Sequence, residues 1–262
     1  MRISGNTILV TGGNSGIGRA FAEEFHRRGN KVIVSGRNKE TLDEVAKATP
    51  GIEAIRLDIA DGASISTFAK DLLQRFPELD TVVHMAGIMQ NEKFGAGSTL
   101  EAAEATIATN LLGPIRLSDA LLPHLLSRPR AAILTVTSGL AYLPLAMTPT
   151  YCATKAAIHS WTESLRYQLR DRPVDVIEIV PPYVRTGLMG ERQAQDPNAM
   201  PLEAYVAETF QILEKEPDAK EILVEAVKPL RFAQANGDYD AFFLKRNEAM
   251  MAARRAEWDK IG

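Results

Sequence analysis

The sequence predicts an α/β fold, in which a doubly wound parallel sheet carries helices on both faces. Short apolar runs rich in β-branched residues alternate with helical patterns, and the first run passes into a helix through a glycine-rich turn. The 262 residues are 45% hydrophobic, which is enough for one large core, and no linker, charge block or repeat divides them. We therefore expect a single domain over residues 1–262, with its site at the carboxyl edge of the sheet.

The glycine-rich turn is typical of a nucleotide-binding loop. It reads Thr11-Gly12-Gly13-Asn14-Ser15-Gly16-Ile17-Gly18, after an apolar run at 7–10 and before a helical pattern at 20–25. Glycines there allow a sharp turn, the close approach of a pyrophosphate and tight packing of helix on strand. The pyrophosphate would then bind at the positive helix N-terminus. A purely structural turn is the alternative, which the position at the first βα joint disfavours.

The second predicted strand, at 31–35, ends in Gly36-Arg37-Asn38 rather than in an acidic residue. In dinucleotide folds this end meets the adenosine ribose, where a carboxylate accepts hydrogen bonds from a free 2′-hydroxyl. Here glycine replaces the acid and Arg37 stands beside it. A guanidinium suits a 2′-phosphate, which a carboxylate would repel. Although a solvated loop arginine is the alternative, the pattern favours NADP(H) over NAD.

Two further strand ends supply candidate cofactor contacts. A helical pattern at 39–48 leads to a third strand at 54–57, followed by Asp58-Ile59, and a fourth strand at 81–84 runs into Met85-Ala86-Gly87. The Asp58 carboxylate can accept a hydrogen bond from an adenine amino group or, equally well, cap a helix around 61–75. The small residues at 86 and 87 would let the backbone pass beneath the cofactor.

Two polar residues in the second half of the chain are candidates for the reaction site. Asn110 lies within a helical pattern at 100–112, which another at 114–126 follows; a buried asparagine often disturbs a helix or anchors water. An ordinary polar helix position is an equally good interpretation. Ser138 follows the apolar strand 131–137, at the edge where the site is expected. Taken alone, a turn or N-cap serine is the simpler explanation.

Tyr151 and Lys155 are four residues apart at the start of a helix predicted to run to about Arg170. At that spacing both side chains lie on one helical face and can reach one pocket. A phenol has an ordinary pKa of about 10. A neighbouring ammonium, together with an oxidised nicotinamide, would lower it, so that Tyr151 could act as general acid or base. A surface stripe explains such a pair alone, but not its combination with Ser138 and the glycine loop.

These motifs resemble the short-chain dehydrogenase/reductase family. The matching pieces span about residues 5–190 in the family's order: the glycine loop, Asp58, Ala86-Gly87, Asn110, Ser138 and Tyr151-x-x-x-Lys155. The resemblance implies a Rossmann-like fold of about seven strands and a catalytic tetrad of Asn110, Ser138, Tyr151 and Lys155. The implied cofactor-binding residues are Gly12, Asn14, Ser15, Gly16, Ile17, Gly18, Arg37, Asp58, Ile59, Ala86, Gly87, Tyr151, Lys155, Val184 and Thr186. The stretch 221–233 also resembles a bacterial subgroup associated with D-alanyl lipoteichoic acid operons, which does not by itself identify a substrate.

Two places depart from the family's pattern. His84-Met85 stand where the family usually has two asparagines that tie the strand end to its neighbours, which should alter stability more than cofactor binding. Pro181-Pro182 stand where the family usually has Pro-Gly. The second proline removes an N–H and fixes φ, so the loop geometry near the nicotinamide should differ.

The resemblance implies reversible hydride transfer between NADP(H) and a carbonyl compound or secondary alcohol. Ser138 would bind the carbonyl oxygen and Tyr151 would be the general acid/base. Lys155 would hold the ribose and lower the tyrosine pKa, and Asn110 would position a relay water. One alternative is a non-catalytic NADP(H) sensor or scaffold, which would be expected to lack the tyrosine or lysine. Another is epimerisation or imine reduction on the same scaffold.

The substrate is expected beneath a flap formed by residues 187–217. Candidate contacts are Leu140, Tyr183, Leu188 and Met189, with Met89, Leu143, Met200, Leu202 and Tyr205 as further wall residues. Methionines and aromatics suit an adaptable apolar pocket, which favours a medium-sized, largely apolar ketone or aldehyde. Ordinary core packing is the alternative for each of them.

Composition narrows the partners. The net charge of −3 gives no footprint for nucleic acid, and the N-terminus and hydropathy indicate neither a secretion signal nor a membrane span. With Cys152 as its one cysteine, the protein is expected in the cytoplasm. The histidines at 26, 84, 124 and 159 lack ligand-like spacing, so no catalytic metal is expected.

Two features predict how the surface is used. Helices near 110–126 and 151–170 carry apolar residues on more than one face, which favours a homodimer or homotetramer, although core packing also explains them. These residues are Leu112, Ile115, Leu122, Leu125, Ala156, Trp161, Leu165 and Leu169. The tail at 225–262, with Phe242-Phe243 and Trp258, is expected to be helical and to pack over the site or a partner subunit.

Overall fold

The fold is built on one parallel sheet, described for residues 1–261 by a computed structural model. The strands are β1 Thr7–Thr11, β2 Lys31–Gly36, β3 Ile52–Arg56, β4 Thr81–His84, β5 Ala131–Val136, β6 Val174–Ile179 and β7 Glu221–Ile222. They lie in the order β3-β2-β1-β4-β5-β6-β7, and all neighbours are parallel. The predicted doubly wound sheet is confirmed. Its strand order reverses between β1 and β4, which opens a crevice at their carboxyl ends.

Helices cover both faces of this sheet. They are α1 Gly16–Arg27, α2 Lys39–Ala48, α3 Gly62–Arg75, α4 Leu100–Ile107, α5 Gly113–Ser127, α6 Pro149–Gln168, α7 Glu191–Gln195, α8 Leu202–Lys215, α9 Lys228–Arg231, α10 Ala233–Asn236, α11 Tyr239–Ala253 and α12 Arg255–Trp258. Short 3₁₀ turns occupy Gly139–Ala141 and Glu225–Val227, and a π-helical turn at Ala108–Leu112 joins α4 to α5. Within residues 1–261, no helix is long and apolar enough to cross a bilayer.

One face of the sheet is closed by an aromatic cluster between α1 and α8. The Tyr205 ring stacks on Phe21 at a centroid distance of 5.9 Å, and Phe25 meets Phe210 edge-on at 4.7 Å. Tyr205 is fully buried in this core. The prediction that Tyr205 lines the substrate wall was therefore wrong. Because α8 belongs to the body of the fold, residues 202–215 are not part of a flap.

The other face buries leucines of α3, α5 and α6 against the central strands. Leu72, Leu121 and Leu165 belong to this second core cluster. Leu125 and Leu169, two of the residues expected on a subunit interface, are also buried there. Both core clusters depend on the alternation of apolar side chains above and below the strands.

The C-terminal segment folds back over the carboxyl edge of the sheet. Phe242, Phe243 and Trp258 pack against a third cluster that contains Leu140 and Tyr151. Asn247 fixes α11 in place, since its side chain accepts a hydrogen bond from the Ala146 N–H at 2.6 Å and donates to the Pro144 carbonyl at 3.1 Å. The sequence predicts that the tail packs over the site or over a partner subunit, and in the structure it packs over the site.

Candidate active site

The glycine-rich turn lines a cavity of about 430 Å³ at the carboxyl edge. Gly12 has a φ of +66°, and a Cβ at this position would lie 2.7 Å from the Ala86 Cα. A Cβ at Gly18 would lie 2.2 Å from the Gly12 carbonyl oxygen. No other residue fits either position without moving the backbone. Ser15, the N-cap of α1, makes no side-chain capping bond, so the first N–H groups of α1 remain available to an anionic ligand.

The end of β2 forms another part of the cavity wall. A Cβ at Gly36 would lie 2.4 Å from the Asn14 Oδ1, and the Asn14 amide donates to the Thr41 hydroxyl at 2.7 Å. An acidic residue at position 36 would therefore displace Asn14. Arg37 is exposed and lines the cavity. The wall thus presents a cation, and no carboxylate, at the end of β2.

The segment after β3 has Leu57 and Ile59 in the cavity wall with Asp58 between them. The Asp58 carboxylate accepts a hydrogen bond from the Ala60 N–H at 3.0 Å, which closes a local turn. Asp61, rather than Asp58, caps α3 by accepting from the Ala63 N–H at 2.8 Å. The helix-capping role considered for Asp58 therefore belongs to Asp61, while contact between Asp58 and adenine stays a prediction.

Thr11 ties the end of β4 to β1, in place of the two amides that the sequence lacks. Its hydroxyl accepts hydrogen bonds from the N–H groups of Met85 and Ala86, both at 3.1 Å, and donates to the Val83 carbonyl at 3.3 Å. The His84 Nε2 lies 2.8 Å from the Ser118 hydroxyl. Burial lowers the pKa of His84 to about 4, so its ring is neutral at neutral pH.

Ser138, Tyr151 and Lys155 line the same cavity as the glycine-rich turn. The Ser138 hydroxyl oxygen accepts a hydrogen bond from the Leu140 N–H at 3.1 Å, which leaves its proton available for donation. Lys155 donates from Nζ to the Val136 carbonyl at 2.8 Å, with Nζ 5.5 Å from the centre of the Tyr151 ring. The spacing of four residues on α6 therefore brings both side chains to one pocket.

Burial favours the neutral forms of both α6 side chains. It raises the pKa of Tyr151 above its ordinary value, against the opposing hydrogen bond with Ser138, and it lowers the pKa of Lys155 to about 8. The predicted lowering of the tyrosine pKa invoked Lys155 together with an oxidised nicotinamide. Without a cofactor, burial raises the pKa of Tyr151 instead. Lys155 alone therefore does not activate the phenol.

Asn110 lies in the π-helical turn and holds the chain after β4. Its amide oxygen accepts a hydrogen bond from the Ile88 N–H at 2.9 Å, and its amide nitrogen donates to the Ile88 carbonyl at 2.8 Å. The same nitrogen reaches the Thr154 hydroxyl at 3.4 Å. The Asn110 side chain therefore joins the loop beneath Gly87 to α6, one residue before Lys155.

A smaller cavity of about 60 Å³ adjoins Ser138 and Tyr151. It contains the predicted substrate residues Leu140, Tyr183, Leu188 and Met189, and also Met89. The other wall candidates pack elsewhere: Met200, Leu202 and Tyr205 in the core between α1 and α8, and Leu143, fully buried, in the third cluster. For these four the prediction was wrong, because apolar side chains that follow a strand enter the core as readily as a pocket.

The structure adds residues to this cavity that no sequence motif marked, namely Gln193, Leu230, Arg246, Met250 and Arg254. Gln193 organises the loop above the site: it donates to the Val184 carbonyl at 2.8 Å and accepts from the Met189 N–H at 3.0 Å. The others come from the tail, roughly a hundred residues from Ser138 and Tyr151. Pro182 lines both cavities and Thr186 lines the larger one.

Comparison with known proteins agrees with this geometry. The family model for short chain dehydrogenases matches residues 6–197. The chain belongs to this family. It is 39% identical over 251 residues to the uncharacterized oxidoreductase DltE of Bacillus subtilis, a match that covers 94% of this chain and 98% of DltE. That match includes the stretch 221–233 and confirms the expected subgroup.

Solved structures of the same fold are known with both nicotinamide cofactors. A short-chain dehydrogenase from Burkholderia cenocepacia in complex with NADP is 25% identical, with a TM-score of 0.77 over 97% of this chain and 98% of that one. A family member from Burkholderia phymatum in complex with NAD is 20% identical, with a TM-score of 0.77 over 94% and 96% of the two chains. At that identity, the second likeness shows the fold alone.

Proposed function

We propose that this oxidoreductase transfers a hydride between NADP(H) and a carbonyl compound or the matching secondary alcohol. The observation that carries the proposal is the meeting of Ser138, Tyr151 and Lys155 in one cavity with a glycine loop shaped for a pyrophosphate. When bound in this cavity, the cofactor would supply the hydride for reduction of a carbonyl carbon, or accept one in the reverse direction. Side chains of the protein bind the substrate oxygen and transfer the proton.

Ser138 and Tyr151 handle the substrate oxygen. Because the Leu140 N–H occupies a lone pair of the Ser138 hydroxyl, that hydroxyl donates its proton toward the carbonyl oxygen. Tyr151 then gives the proton from its phenol oxygen to the same atom, or takes it back during oxidation. The raised pKa of Tyr151 keeps the phenol protonated before reduction. This protonated state is the one needed to reduce a carbonyl.

Lys155 and Asn110 support this proton transfer. Burial brings the pKa of Lys155 to about 8, close to neutral pH, so that Lys155 can hold the nicotinamide ribose and exchange a proton. Asn110 is a positioning residue, since its amide holds Ile88 and Thr154 around the Lys155 position. A water beside Asn110 would connect Lys155 to solvent.

The cofactor is proposed to be NADP(H), bound as the sequence predicts. The glycine loop and the start of α1 would hold the pyrophosphate, and Arg37, an exposed cation on the cavity wall, would donate hydrogen bonds to the 2′-phosphate. In this proposal Tyr151, Lys155, Ala86, Gly87, Val184 and Thr186 would contact the nicotinamide half of the cofactor, and Asp58 and Ile59 the adenine half. The NADP complex of the Burkholderia cenocepacia relative supports this assignment.

We also propose that two copies of the chain associate through α4 and the π-helical turn that joins it to α5. Leu100, Ile107 and Leu112 are exposed there, with 62%, 38% and 37% of their surfaces accessible. A second copy covering this face would bury them, as a homodimer or homotetramer requires. Of the expected interface residues, only those outside the core, such as Leu112, can contribute.

The proposal is tested by titrating the protein with NADPH and NADH through nicotinamide fluorescence, followed by turnover on aldehydes and ketones. Arg37→Ala should weaken NADPH binding about 10- to 100-fold, since one charge-assisted contact is lost, and leave NADH binding nearly unchanged. Lys39→Ala is the matched control, because Lys39 is a nearby cation whose charge is paired with Asp43 within α2. Preference for NADH in the wild type would overturn the cofactor assignment, and tight NADPH binding without turnover of any carbonyl would overturn the reaction.

A further inference from the structure

The substrate cavity contains two arginines from the C-terminal tail, and their surroundings differ. Arg254 is 6% exposed and fully engaged: its Nε and Nη2 contact the Glu257 carboxylate at 2.9 and 2.7 Å, and its Nη1 contacts the Met189 sulfur at 3.1 Å. Arg254 thus shares the Glu257 carboxylate with Arg192 and joins the tail to the loop at 187–190.

Arg246 has no such partner. Its Nε is buried without a hydrogen-bond acceptor among residues 1–261, and the two acidic groups at the end of the tail pair elsewhere, Glu257 with Arg192 and Arg254, and Asp259 with Arg255. Burial lowers the pKa of Arg246, yet a guanidinium stays charged at neutral pH. The side chain as a whole is half-buried, but its buried Nε has no acceptor, so its presence in this cavity indicates an anion that the fold itself does not provide.

Much of the remaining wall of this cavity is apolar, formed by Met89, Leu140, Leu145, Leu230 and Met250. The polar groups of Tyr183, Gln193 and Arg254 also line it but bond within the protein. Ser138 with Tyr151 at one side, and Arg246 of α11 at the other, are left to contact a ligand. A molecule that satisfies both carries a carbonyl or hydroxyl at one end and a negative charge at the other.

The size of the cavity limits the length of that molecule. Its volume of about 60 Å³ corresponds to the space of roughly four to six water molecules. A short chain of a few carbon atoms fills this space, with its carbonyl directed toward the larger cavity. A carboxylate or a phosphonate would satisfy the guanidinium through paired N–H···O contacts.

We propose that the substrate is a short oxo acid, or the matching hydroxy acid, whose anionic group is bound by Arg246. This inference rests on the proposed hydride transfer and sharpens its substrate class. The apolar wall contacts the carbon chain, so the expected apolar ketone becomes an apolar chain with one charged end. Arg246 is thus a specificity-determining residue supplied by the tail.

The test compares carboxylates with uncharged isosteres of the same length. NADPH oxidation is measured with acetoacetate, levulinate and 5-oxohexanoate, each beside its primary amide, and with 3-oxobutylphosphonate as the second anion. We expect the wild type to favour the best oxo acid over its amide by about 10- to 100-fold in kcat/KM, mostly through KM. Comparison of the phosphonate with the carboxylates shows which anionic group Arg246 binds better. The chain length of the oxo acid with the highest kcat/KM indicates the distance between Arg246 and Tyr151.

Variants of two neighbouring residues isolate the guanidinium. Arg246→Met removes the charge but keeps an unbranched apolar side chain, and it should abolish the preference for the acid, whereas Arg246→Lys should retain part of it. Lys245→Met removes an equal charge from an exposed position of the same helix and should leave the preference intact. An equal preference for acid and amide in the wild type, or an acid preference that survives in Arg246→Met, would overturn the proposal.

Binding without turnover separates this inference from the reaction itself. Butanoate and hexanoate, beside butanamide and hexanamide, are titrated calorimetrically into the NADP⁺ complex. If no carbonyl is reduced but the carboxylates bind the wild type at least 10-fold more tightly than Arg246→Met, the anion site stands and the reaction fails. Ketone turnover without carboxylate selectivity means the reverse. A melting temperature that falls in Arg246→Met would show a structural arginine and overturn the inference, because removing an unpaired buried cation should raise it.

Discussion

Two buried polar clusters of this protein, one beside β6 and one in the cavity, differ in whether their charges are paired. In the first, Glu178 is fully buried and accepts hydrogen bonds from the Thr137 hydroxyl at 2.6 Å, the Tyr142 hydroxyl at 2.9 Å and the His159 Nδ1 at 2.8 Å. In the second, Tyr151, Lys155 and Arg246 line cavities and have no carboxylate partner within residues 1–261. The first cluster therefore stabilises the fold, and the second is the one we propose to bind ligands.

The pKa directions follow this difference. Burial alone would raise the pKa of Glu178, but hydrogen bonds from His159 and Thr137 outweigh it and lower the value. The hydrogen bond to Glu178 raises the pKa of His159. In the cavity, burial moves Tyr151 and Lys155 toward their neutral forms. A buried group therefore keeps its charge in the first cluster, where neighbouring side chains are its hydrogen-bond partners. In the cavity, where such partners are lacking, burial shifts the pKa toward the neutral form.

The paired cluster also resembles a metal site, with ligand atoms of His159, Glu178 and Glu221 within 4.8 Å of one another. The spacing of histidines in the sequence did not suggest this grouping. Arg231 forms a double hydrogen bond with Glu221 and lies 4.5 Å over the Tyr142 ring. Because a guanidinium occupies Glu221, we interpret the cluster as an ion-pair network.

Exchanging one hydroxyl in each cluster gives the largest expected contrast. Tyr151→Phe should lower kcat by about 10³-fold or more, since the proton donor is lost, while NADPH still binds. Tyr142→Phe should leave turnover of the folded enzyme nearly unchanged and reduce the free energy of unfolding by about 1–2 kcal/mol. Turnover and urea unfolding of both variants provide the measurement. An active Tyr151→Phe would mean that Tyr151 is not the proton donor.

Removing the central carboxylate should show how strongly the paired cluster holds the fold. Glu178→Leu leaves the Thr137, Tyr142 and His159 polar groups unsatisfied, so the free energy of unfolding should fall by about 3–4 kcal/mol. Chemical denaturation monitored by far-UV circular dichroism measures it. Glu163→Leu, at an exposed position near His159, is the control. A loss of less than about 1 kcal/mol would mean that the cluster is dispensable.

Lys155→Met should have the opposite effect on stability. Since burial depresses the folded pKa of Lys155 from 10.5 to about 8, its charge destabilises the fold below pH 8, and stability is regained between about pH 8 and 10.5. The cofactor-free variant should be more stable than wild type at pH 7 by up to about 3 kcal/mol, a gap that closes as pH rises. Urea midpoints from pH 7 to 10 measure this, with exposed Lys70→Met as the control. A variant less stable at pH 7 would contradict the unpaired character of Lys155.

His159 should produce the smallest effect, with the reverse pH dependence. Its folded pKa is raised, so its contribution is fully present below the ordinary value near 6.5 and disappears as pH rises through the folded pKa. Tyr142, Glu163, Glu178, Glu221 and Arg231 are the titratable groups around it. The stability advantage of wild type over His159→Gln, about 1 kcal/mol or less, should shrink between pH 6 and 8 in urea titrations. A constant or growing advantage would show that His159 is not charged in this cluster.

The sequence predicted most strands and brought the motifs of the proposed cofactor site to one edge of the sheet. Strand β4 and helix α2 begin and end at the predicted residues, and the glycine loop and the Tyr151–Lys155 pair line one cavity. These features depend on the backbone within a few residues: glycine where Cβ cannot fit, and a spacing of four on one helical face. The same local pattern could not show that the two helical patterns around Asn110 join through a π-helical turn.

Only the tertiary structure decided the substrate half. Tyr205 and Arg246 both lie in the part of the chain after the last family motif. Tyr205 packs in the core beside Phe21, whereas Arg246 reaches the cavity beside Tyr151. The direction of the Tyr151 pKa shift likewise depends on burial by residues far away in the chain. A local pattern indicates which face of a helix is apolar, but not which distant segment covers it, because that choice is made by contacts across more than ninety residues of chain. The sequence therefore determined the fold and the cofactor half, while packing of the tail determined the cavity and the charge it presents.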